Sequence, residues 1–383
     1  MPKIQENKSK IDLYFRVLDY WILVPILSIS IIGLFVLSKV LSSGYEGNGT
    51  AMFTKQAGAV FVGIIIAFML CLIETPTMKL VAFAVYGVSI LLLVYVLVDG
   101  FSMKATTGAD SWMQIPIIGT FQPSELAKVG IVMVSSYYFA DLKAGKGSIW
   151  KNLAILALIY TIPMLLIFKQ PDFGTAIVIV FILCCMVFVY GIPYRAIFLA
   201  ISMGIVAVPI VWTFYLKPYQ KSRILTILYP GYDPTSAYHI EQAKLAISAG
   251  GLTGSGSDMT IAVPVKESDF IYTAVAERLG FIGAFILVVL ILIFILRSFY
   301  IASKVHEGYS GFMLTGITAM FVFHFIENLG MCVGLVPITG IPLPFVSYGG
   351  TSMIVNYFAL GIILCLSMER NMIRKVDPYE FNG

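Results

Sequence analysis

Residues 263–285 read VPVKESDFIYTAVAERLGFIGAF, and the apolar run that begins in this stretch continues to residue 296. About 20 apolar residues in a helix cross the hydrocarbon core of a bilayer, so residues 270–296 predict a transmembrane helix. Two carboxylates mark its beginning, because Asp269 directly precedes the run and Glu277 follows two helical turns inside it. A carboxylate at membrane depth is costly, so both are candidates for a functional site.

The composition of the whole chain agrees with a membrane protein. Of the 383 residues, 59% are hydrophobic and 12% are charged, whereas about 25% of the residues of a soluble domain are charged. The net charge of +4 indicates no strongly charged partner, and we expect no nucleic acid to bind. The five cysteines lie in or beside apolar runs without metal-type spacing, and the three histidines are scattered. Neither residue type therefore predicts a metal site.

Ten apolar segments predict an all-α polytopic membrane protein, organised as a single integral membrane domain over residues 1–383. The predicted spans are residues 20–41, 56–74, 78–99, 122–140, 152–168, 173–190, 195–215, 270–296, 309–331 and 350–368. Lysine and arginine are concentrated in alternate short loops and at both ends, which predicts that both termini are cytoplasmic. We therefore expect cytoplasmic tails at residues 1–19 and 369–383, and a large extracellular loop at residues 216–269, between helices seven and eight.

Under this topology, the polar mass of the chain faces outward in residues 100–121, 216–269 and 332–350. Loops longer than about 15 residues in a compact protein are usually functional or disordered. The inner loops are too short for a catalytic domain, so we expect any chemistry at the outer face. Within the largest outer loop, AYHIEQAKLAIS at residues 237–248 predicts a short amphipathic helix.

Four charged residues near predicted helix starts have both a structural and a functional interpretation. Glu125 and Lys128 are three positions apart and share a helix face, so they are a structural ion pair, the polar floor of an outward-facing cavity, or both. Asp172 and Asp269 each precede an apolar helix. Each either caps the free backbone N–H groups of that helix or faces the same cavity.

Glu277 lies too deep in its helix for capping to explain it. It requires a cation or a hydrogen-bond donor. The candidate cations are Arg223, Lys217 and Lys244 of the long loop, and Lys128.

Two further stretches present groups suited to a sugar or an anion. The segment IPLPFVSYGGTS at residues 341–352 either packs as a plain loop or lines a site with its backbone amides and Ser347 or Tyr348. Trp112 is either a membrane anchor or an aromatic face that stacks on a sugar ring.

Five motifs occur in order between the ten apolar spans, and together they resemble one family. They read SWMQIPIIGTFQPSELAK, KQPDFGTA, AISAGGLTGSG, SDFIYTAVAERLGFIGA and GLVPITGIPLPFVSYGGTS. This series resembles the SEDS family, the RodA, FtsW and SpoVE proteins of bacterial envelope synthesis, from about residue 15 to residue 370. YQKSRI in the long loop together with GIPLPFVSYGG is more similar to RodA, the elongation member.

The resemblance implies a peptidoglycan glycosyltransferase that polymerises lipid II into glycan strands outside the cytoplasmic membrane and releases undecaprenyl diphosphate. It also implies a class B penicillin-binding protein as partner, within the elongation machinery, although division and sporulation roles stay open. The alternatives are a lipid II flippase and a scaffold that only recruits the transpeptidase. A transporter site lies near the bilayer midplane, whereas the candidate residues here map to the outer edge, which favours the enzyme.

The resemblance also implies roles for individual residues. Asp269 matches the proposed catalytic aspartate of the family, and Trp112, Glu125 and Lys128 match the tryptophan and the charged pair around the QPSE motif. The chain reads KESDFIY where many members read HTDFIF, which alters the surroundings of the aspartate and keeps the aspartate itself. We expect Asp269 to act as a general base and Arg223 or another loop cation to face the diphosphate. A divalent cation, Mg²⁺ or Mn²⁺, is implied, with no ligand set visible in the sequence.

Overall fold

The computed structural model of the chain describes residues 16–42, 49–73, 75–99, 111–115, 119–229, 231–255, 261–305 and 308–376. Most of the predicted N-terminal tail, residues 1–15, and the end of the predicted C-terminal tail, residues 377–383, lie outside the described residues. The described part is mostly helical, as the composition predicts.

Ten of the helices coincide with the ten predicted membrane segments. In chain order, the helices are α1 Tyr20–Ser42, α2 Gly49–Leu70, α3 Thr75–Asp99, α4 Pro123–Lys143, α5 Ile149–Lys169, α6 Phe173–Tyr190, α7 Tyr194–Ile210, α8 Pro218–Leu228, α9 Pro234–Ala249, α10 Ile271–Ala302, α11 Gly308–Cys332 and α12 Gly350–Val376. Helix α7 continues as a π-helix, Val211–Tyr215. Within the described ranges, eight helices are long and apolar enough to cross a membrane. The more polar α4 and the shorter α7 are the two predicted spans outside this set.

The segment around residue 112, which the sequence predicts to face outward, contains a small sheet that the all-α prediction omits. Strand β1, Met113–Ile115, pairs antiparallel with β2, Gly119–Phe121. The hydroxyl of Thr351 donates to the carbonyl of Thr120 at 2.8 Å, which fastens the hairpin to the first turn of α12. Because Trp112 directly precedes β1, the hairpin fixes the position of its backbone.

The large predicted loop, residues 216–269, folds into two helices. The predicted amphipathic helix lies within α9, and Asp233 caps it by accepting hydrogen bonds from the backbone N–H groups of Thr235 and Ser236 at 3.1 and 3.4 Å. Helix α8 was not predicted. Proline at its first position, Pro218, fixes the φ angle that a helix requires without removing a needed donor.

Helix α10 contains a break that brings two of the sequence motifs, AISAGGLTGSG and SDFIYTAVAERLGFIGA, into contact. Gly280 has φ 67° and ψ −169°, a conformation that interrupts the helix and that glycine adopts most easily. The N–H groups of Phe281 and Ile282 then donate to the carbonyls of Gly251 and Leu252 at 2.9 and 3.1 Å. These carbonyls belong to the turn after α9. The turn satisfies backbone groups that would be costly to leave unpaired in a membrane.

The 333–349 segment, between α11 and α12, enters the helix bundle without regular secondary structure. Gly33 of α1 leaves room for it, because a Cβ atom there would lie 2.8 Å from the Cα of Val346. Gln56 of α2 donates to the carbonyl of Ser347 at 2.8 Å and accepts from the N–H of Gly349 at 3.0 Å. The segment is therefore held from two helices and forms a fixed wall for the site described next.

Candidate active site

One cavity of about 330 Å³ lies where α4, α6, α8, α9, α11 and the 333–349 segment meet. Its wall contains five of the eight predicted site residues, which are Trp112, Glu125, Asp172, Arg223 and Asp269. These residues are distributed between residues 112 and 269, so the fold brings together side chains that are distant in the sequence. The cavity is the candidate active site.

Asp269 presents a carboxylate that the local structure does not use. The residue at the N-cap of α10 is Phe270, and no side chain caps that helix. The Asp269 carboxylate accepts a hydrogen bond from the hydroxyl of Ser268 at 3.2 Å. The backbone of Asp269 is held from α11, because the side-chain amide of Asn328 donates to its carbonyl at 2.8 Å and to that of Ile341 at 2.8 Å. The capping interpretation of Asp269 was therefore wrong.

The surroundings of Asp269 tune its basicity. Burial raises the pKa of Asp269 to about 6, Ser268 and Arg223 act in the opposite direction, and Glu267 raises it further. A carboxyl with this pKa is largely ionised at neutral pH and holds a proton more strongly than an ordinary aspartate. Such a group suits general base catalysis near neutral pH.

Asp172 also lines the cavity, but its carboxylate is fully engaged. It caps α6 by accepting from the N–H of Thr175 at 3.1 Å and from its hydroxyl at 2.8 Å. It also accepts from the amide of Gln122 at 2.7 Å and from the hydroxyl of Ser124 at 3.3 Å. The capping interpretation is confirmed, and the same carboxylate ties the start of α4 to the start of α6.

Glu125 and Lys128 form the predicted ion pair, with 2.8 Å between the Lys128 ammonium and the Glu125 carboxylate. The ammonium also donates to Nε2 of His324 at 2.8 Å. This contact requires a neutral His324 that carries its proton on Nδ1. Lys128 and His324 are buried, whereas Glu125 reaches the cavity wall.

Arg223 supplies a cation to the cavity wall. It lies on α8 and donates to the carbonyl of Ile338 at 3.1 Å. Its guanidinium lies 5.8 Å from the centre of the Tyr219 ring, and the Tyr219 hydroxyl donates to the carbonyl of Pro171 at 3.4 Å. The helix that was not predicted from the sequence is thus the element that positions this cation.

Glu277 does not line the cavity. Its carboxylate forms a buried ion pair with Lys266 and accepts from the N–H of Ile261 at 2.9 Å. The partners expected from the sequence were wrong, because the cation comes from the stretch just before α10. The pair anchors that stretch onto the helix.

Ser347 and Tyr348 brace the backbone next to Asp269. The hydroxyl of Ser347 donates to the carbonyl of Ser268 at 2.6 Å and accepts from the N–H of Leu343 at 2.7 Å. The N–H of Tyr348 donates to the carbonyl of Glu267 at 2.9 Å. Ser347 therefore positions the segment that carries Asp269 and lies outside the cavity lining.

Sequence reasoning missed three polar residues around the cavity. Glu327 and His239 line it, and Asn328 holds the backbone of Asp269. Glu327 and Asn328 lie in FIENLG, inside a predicted span. Polar residues at membrane depth are functional candidates, so this signal was available in the sequence.

No cluster of three or more His, Cys, Asp or Glu side chains suited to a metal occurs within the described ranges. The cavity wall nevertheless contains the carboxylates of Glu125, Asp269 and Glu327, besides that of Asp172, whose oxygens are already engaged. A Mg²⁺ ion is commonly held by one or two carboxylates together with phosphate oxygens of a substrate. This donor set is compatible with a cation shared with a diphosphate, so the predicted metal requirement stays a prediction.

Comparison with known proteins places the chain in a family. The family model for FtsW, RodA and SpoVE, described as "Cell cycle protein", matches residues 17–372. The chain belongs to the FtsW, RodA and SpoVE family. The resemblance drawn from the five sequence motifs is thereby confirmed.

Three relatives in this family cover nearly the whole chain. The peptidoglycan glycosyltransferase MrdB of Escherichia coli (strain K12) is 31% identical over 358 residues, which cover 92% of this chain and 95% of the relative. A chain from a peptidoglycan synthase complex, solved to describe the structural coordination of polymerization and crosslinking, is 29% identical with a TM-score of 0.77. That match covers 92% of this chain and 98% of the other. The rod shape determining protein RodA of Thermus thermophilus is 26% identical with a TM-score of 0.67, covering 92% and 97%.

Proposed function

We propose that the chain is a peptidoglycan glycosyltransferase that polymerises lipid II into glycan strands and releases undecaprenyl diphosphate. The observation that carries the proposal is the carboxylate of Asp269, which caps no helix and faces a cavity shared with Trp112 and Arg223. The function named for E. coli MrdB supports the same reaction.

In the proposed reaction, Asp269 takes the proton of an acceptor sugar hydroxyl as the hydroxyl oxygen attacks the anomeric carbon of the donor. The bond between that carbon and the diphosphate oxygen breaks, and undecaprenyl diphosphate leaves with the electron pair. Arg223 faces the charge that grows on the diphosphate. One inverting displacement converts the α-linked donor into a β-linked product, so no covalent enzyme intermediate forms. Asp269 then returns its proton to solvent.

The other predicted residues organise the site. Trp112 offers an aromatic face to a sugar ring. Lys128 neutralises Glu125 beneath the cavity, and Asp172 fixes the helix starts that frame it. Ser347 and the Glu277 pair hold the segment that leads into α10.

We further propose ten membrane spans, with both termini cytoplasmic and the cavity open to the outer face. Ten helices coincide with the predicted spans, and the short-loop distribution of lysine and arginine supports this orientation. The polarity of α4 is compatible with a span, because its two deepest charges, Glu125 and Lys128, pair with each other. The polyprenyl tail of lipid II would then remain among lipids, with its head group beneath α8 and α9.

We propose that the chain works with a class B penicillin-binding protein during cell elongation. The likeness to a chain of a complex that coordinates polymerization and crosslinking supports the partner. The likeness to a rod shape determining protein supports the role in elongation.

A divalent cation, Mg²⁺ or Mn²⁺, is also proposed. When bound, it neutralises the diphosphate leaving group. Chelation with EDTA should stop polymerisation by the purified chain, leave its thermal melt unchanged, and be reversed by added Mn²⁺ or Mg²⁺. Full activity after exhaustive chelation would exclude the requirement.

The decisive experiment supplies labelled lipid II to the purified chain, alone and with its transpeptidase partner, and compares the wild type with Asp269→Asn. We expect polymer from the wild type and none from an equally stable variant. Polymer from both would remove Asp269 from the chemistry. If the wild type forms no polymer even with its partner, a vesicle assay of lipid II transfer between leaflets tests the flippase alternative.

A further inference from the structure

Glu327 is a buried carboxylate that neither the fold nor the proposed reaction uses. It lies on α11, next to the Asn328 that holds Asp269, and lines the cavity. Only 6% of its surface is exposed. A buried ionisable group in this position calls for a partner.

Half of this carboxylate is fixed by the protein. The hydroxyl of Thr339, in the 333–349 segment, donates to Oε1 of Glu327. Oε2 is buried and has no hydrogen-bond partner among the residues that the structure describes. Leaving a buried acceptor unsatisfied costs about 1–3 kcal/mol, and more when the group is charged. One oxygen atom is therefore oriented and the other is available to a donor that enters the cavity.

The charge around Glu327 restricts the chemical class of that donor. Asp269 is close enough to interact electrostatically with Glu327, so this part of the wall is poorly suited to a further anion, and the diphosphate is placed beside Arg223 instead. A neutral hydrogen-bond donor would satisfy Oε2 without adding negative charge. Amino sugars carry such donors as hydroxyl and acetamido N–H groups. The nearby Val336, Pro337 and Pro342 offer an apolar surface to the C–H faces of a sugar ring.

We propose that Glu327 is a substrate-binding residue whose Oε2 accepts a hydrogen bond from the acceptor sugar, the same sugar whose hydroxyl Asp269 deprotonates. The proposal rests on the proposed glycosyltransferase function. Thr339 acts as a positioning residue, because its hydroxyl sets the orientation of the carboxylate. The two carboxylates then have different functions, since Asp269 takes the proton and Glu327 binds the sugar.

Binding measurements in the Asp269→Asn background test this proposal without turnover. Lipid II and undecaprenyl diphosphate, which lacks the sugars, are titrated against the chain in nanodiscs, with and without Glu327→Leu. We expect Glu327→Leu to weaken lipid II binding roughly 10-fold, as loss of one hydrogen bond predicts. Affinity for undecaprenyl diphosphate should not change. Glu241→Leu, at an exposed glutamate of α9 outside the cavity lining, is the matched control.

Three results would overturn the proposal. An equal loss for both ligands would mean that Glu327 supports the lipid or the fold. A loss for undecaprenyl diphosphate that appears only with Mg²⁺ would identify a cation ligand. Unchanged lipid II binding would mean that Oε2 faces water. If Glu327→Leu does not fold in a thermal melt, Glu327→Met and Thr339→Val replace it, and the same comparison of the two ligands decides.

The binding measurements remain informative whatever the polymerisation assay shows. If wild-type protein binds lipid II but forms no polymer, the proposed function fails while the role of Glu327 in sugar binding is still measured. If the wild type polymerises and Glu327→Leu raises the KM for lipid II with little change in kcat, both proposals stand.

Discussion

Two aspartates stand directly before apolar helices, and the structure surrounds them with very different hydrogen bonds. Asp172 before α6 accepts hydrogen bonds from both polar groups of Thr175, from Gln122 and from Ser124. Asp269 before α10 accepts from the hydroxyl of its neighbour Ser268. Both line the same cavity, so position alone does not distinguish them.

The difference lies in how the two helices begin. Helix α6 uses a side-chain oxygen as its cap. Before α10, the backbone turns on itself, with the N–H groups of Ser268 and Phe270 donating to the carbonyl of Val265 at 3.2 and 3.3 Å. Because backbone groups and the brace from Ser347 shape this turn, the Asp269 carboxylate is left for chemistry. A carboxylate that the fold does not need is the stronger catalytic candidate.

The largest expected effect comes from changing each aspartate to asparagine. Asp269→Asn should reduce lipid II polymerisation by about 10²–10⁴-fold, the usual contribution of a general base, with little change in thermal stability. Asp172→Asn keeps an oxygen for the cap but loses the acceptor of Gln122 and Ser124, so it should lower stability by about 1–3 kcal/mol, as a buried donor left unsatisfied predicts, and retain most activity. Polymerisation rate and melting temperature of the same preparations measure both. Equal activity losses at the two sites would end the distinction between them.

The buried pair beneath the cavity extends the comparison to a second structural group. Lys128→Met leaves Glu125 without its cation and should destabilise the protein by about 3–5 kcal/mol. The double variant Lys128→Met, Glu125→Gln removes the uncompensated charge and should recover part of that loss. Thermal melts in the same detergent should give the highest melting temperature for the wild type, a lower one for the double variant and the lowest for the single variant. A single variant as stable as the wild type would show that Glu125 is already satisfied by water.

The positions of the apolar helices could be predicted from the sequence because each is a long local run of apolar residues. Ten apolar segments predicted helices that the structure contains, down to the short connection between Lys169 and Phe173. The family was also readable, since five motifs in order are specific, and the family model confirms it. Helix α8 and the hairpin were missed because both elements are short and mix polar with apolar residues. Their structure depends on contacts with residues that are distant in sequence.

The candidate site could be predicted in part. Residue type and position at a helix start pointed to Asp172 and Asp269. Whether each carboxylate is occupied by hydrogen bonds depends on donors from other elements, such as Gln122, which the sequence does not reveal. The partner of Glu277 was misjudged because the turn that brings Lys266 back onto α10 has no sequence signature. Glu327 was overlooked although its depth in a span made it a candidate by the same rule that selected Glu125.

Asn328 offers a way to weaken Asp269 without touching its carboxylate. Asn328→Leu removes two hydrogen bonds, to the carbonyls of Asp269 and Ile341. At about 1 kcal/mol each, we expect roughly a 30-fold loss of kcat, while the pH dependence keeps its shape. Asn328→Ala also removes the donors and adds no charge beside Asp269, so it should behave like the leucine variant. A normal kcat in both variants would show that the backbone of Asp269 is held adequately by Ser347.

The smallest expected effect is a pH dependence that belongs to Asp269 and not to Asp172. Burial raises the pKa of Asp269 to about 6, and a general base must be ionised, so the polymerisation rate should fall about tenfold per pH unit below that value. The decline should persist in Asp172→Asn. His239 faces the same cavity, and burial and Arg223 lower its pKa below 6.5, so His239→Gln is the control for its titration. A decline that vanishes in His239→Gln would assign it to the imidazole, and the two aspartates would no longer differ in their response to pH.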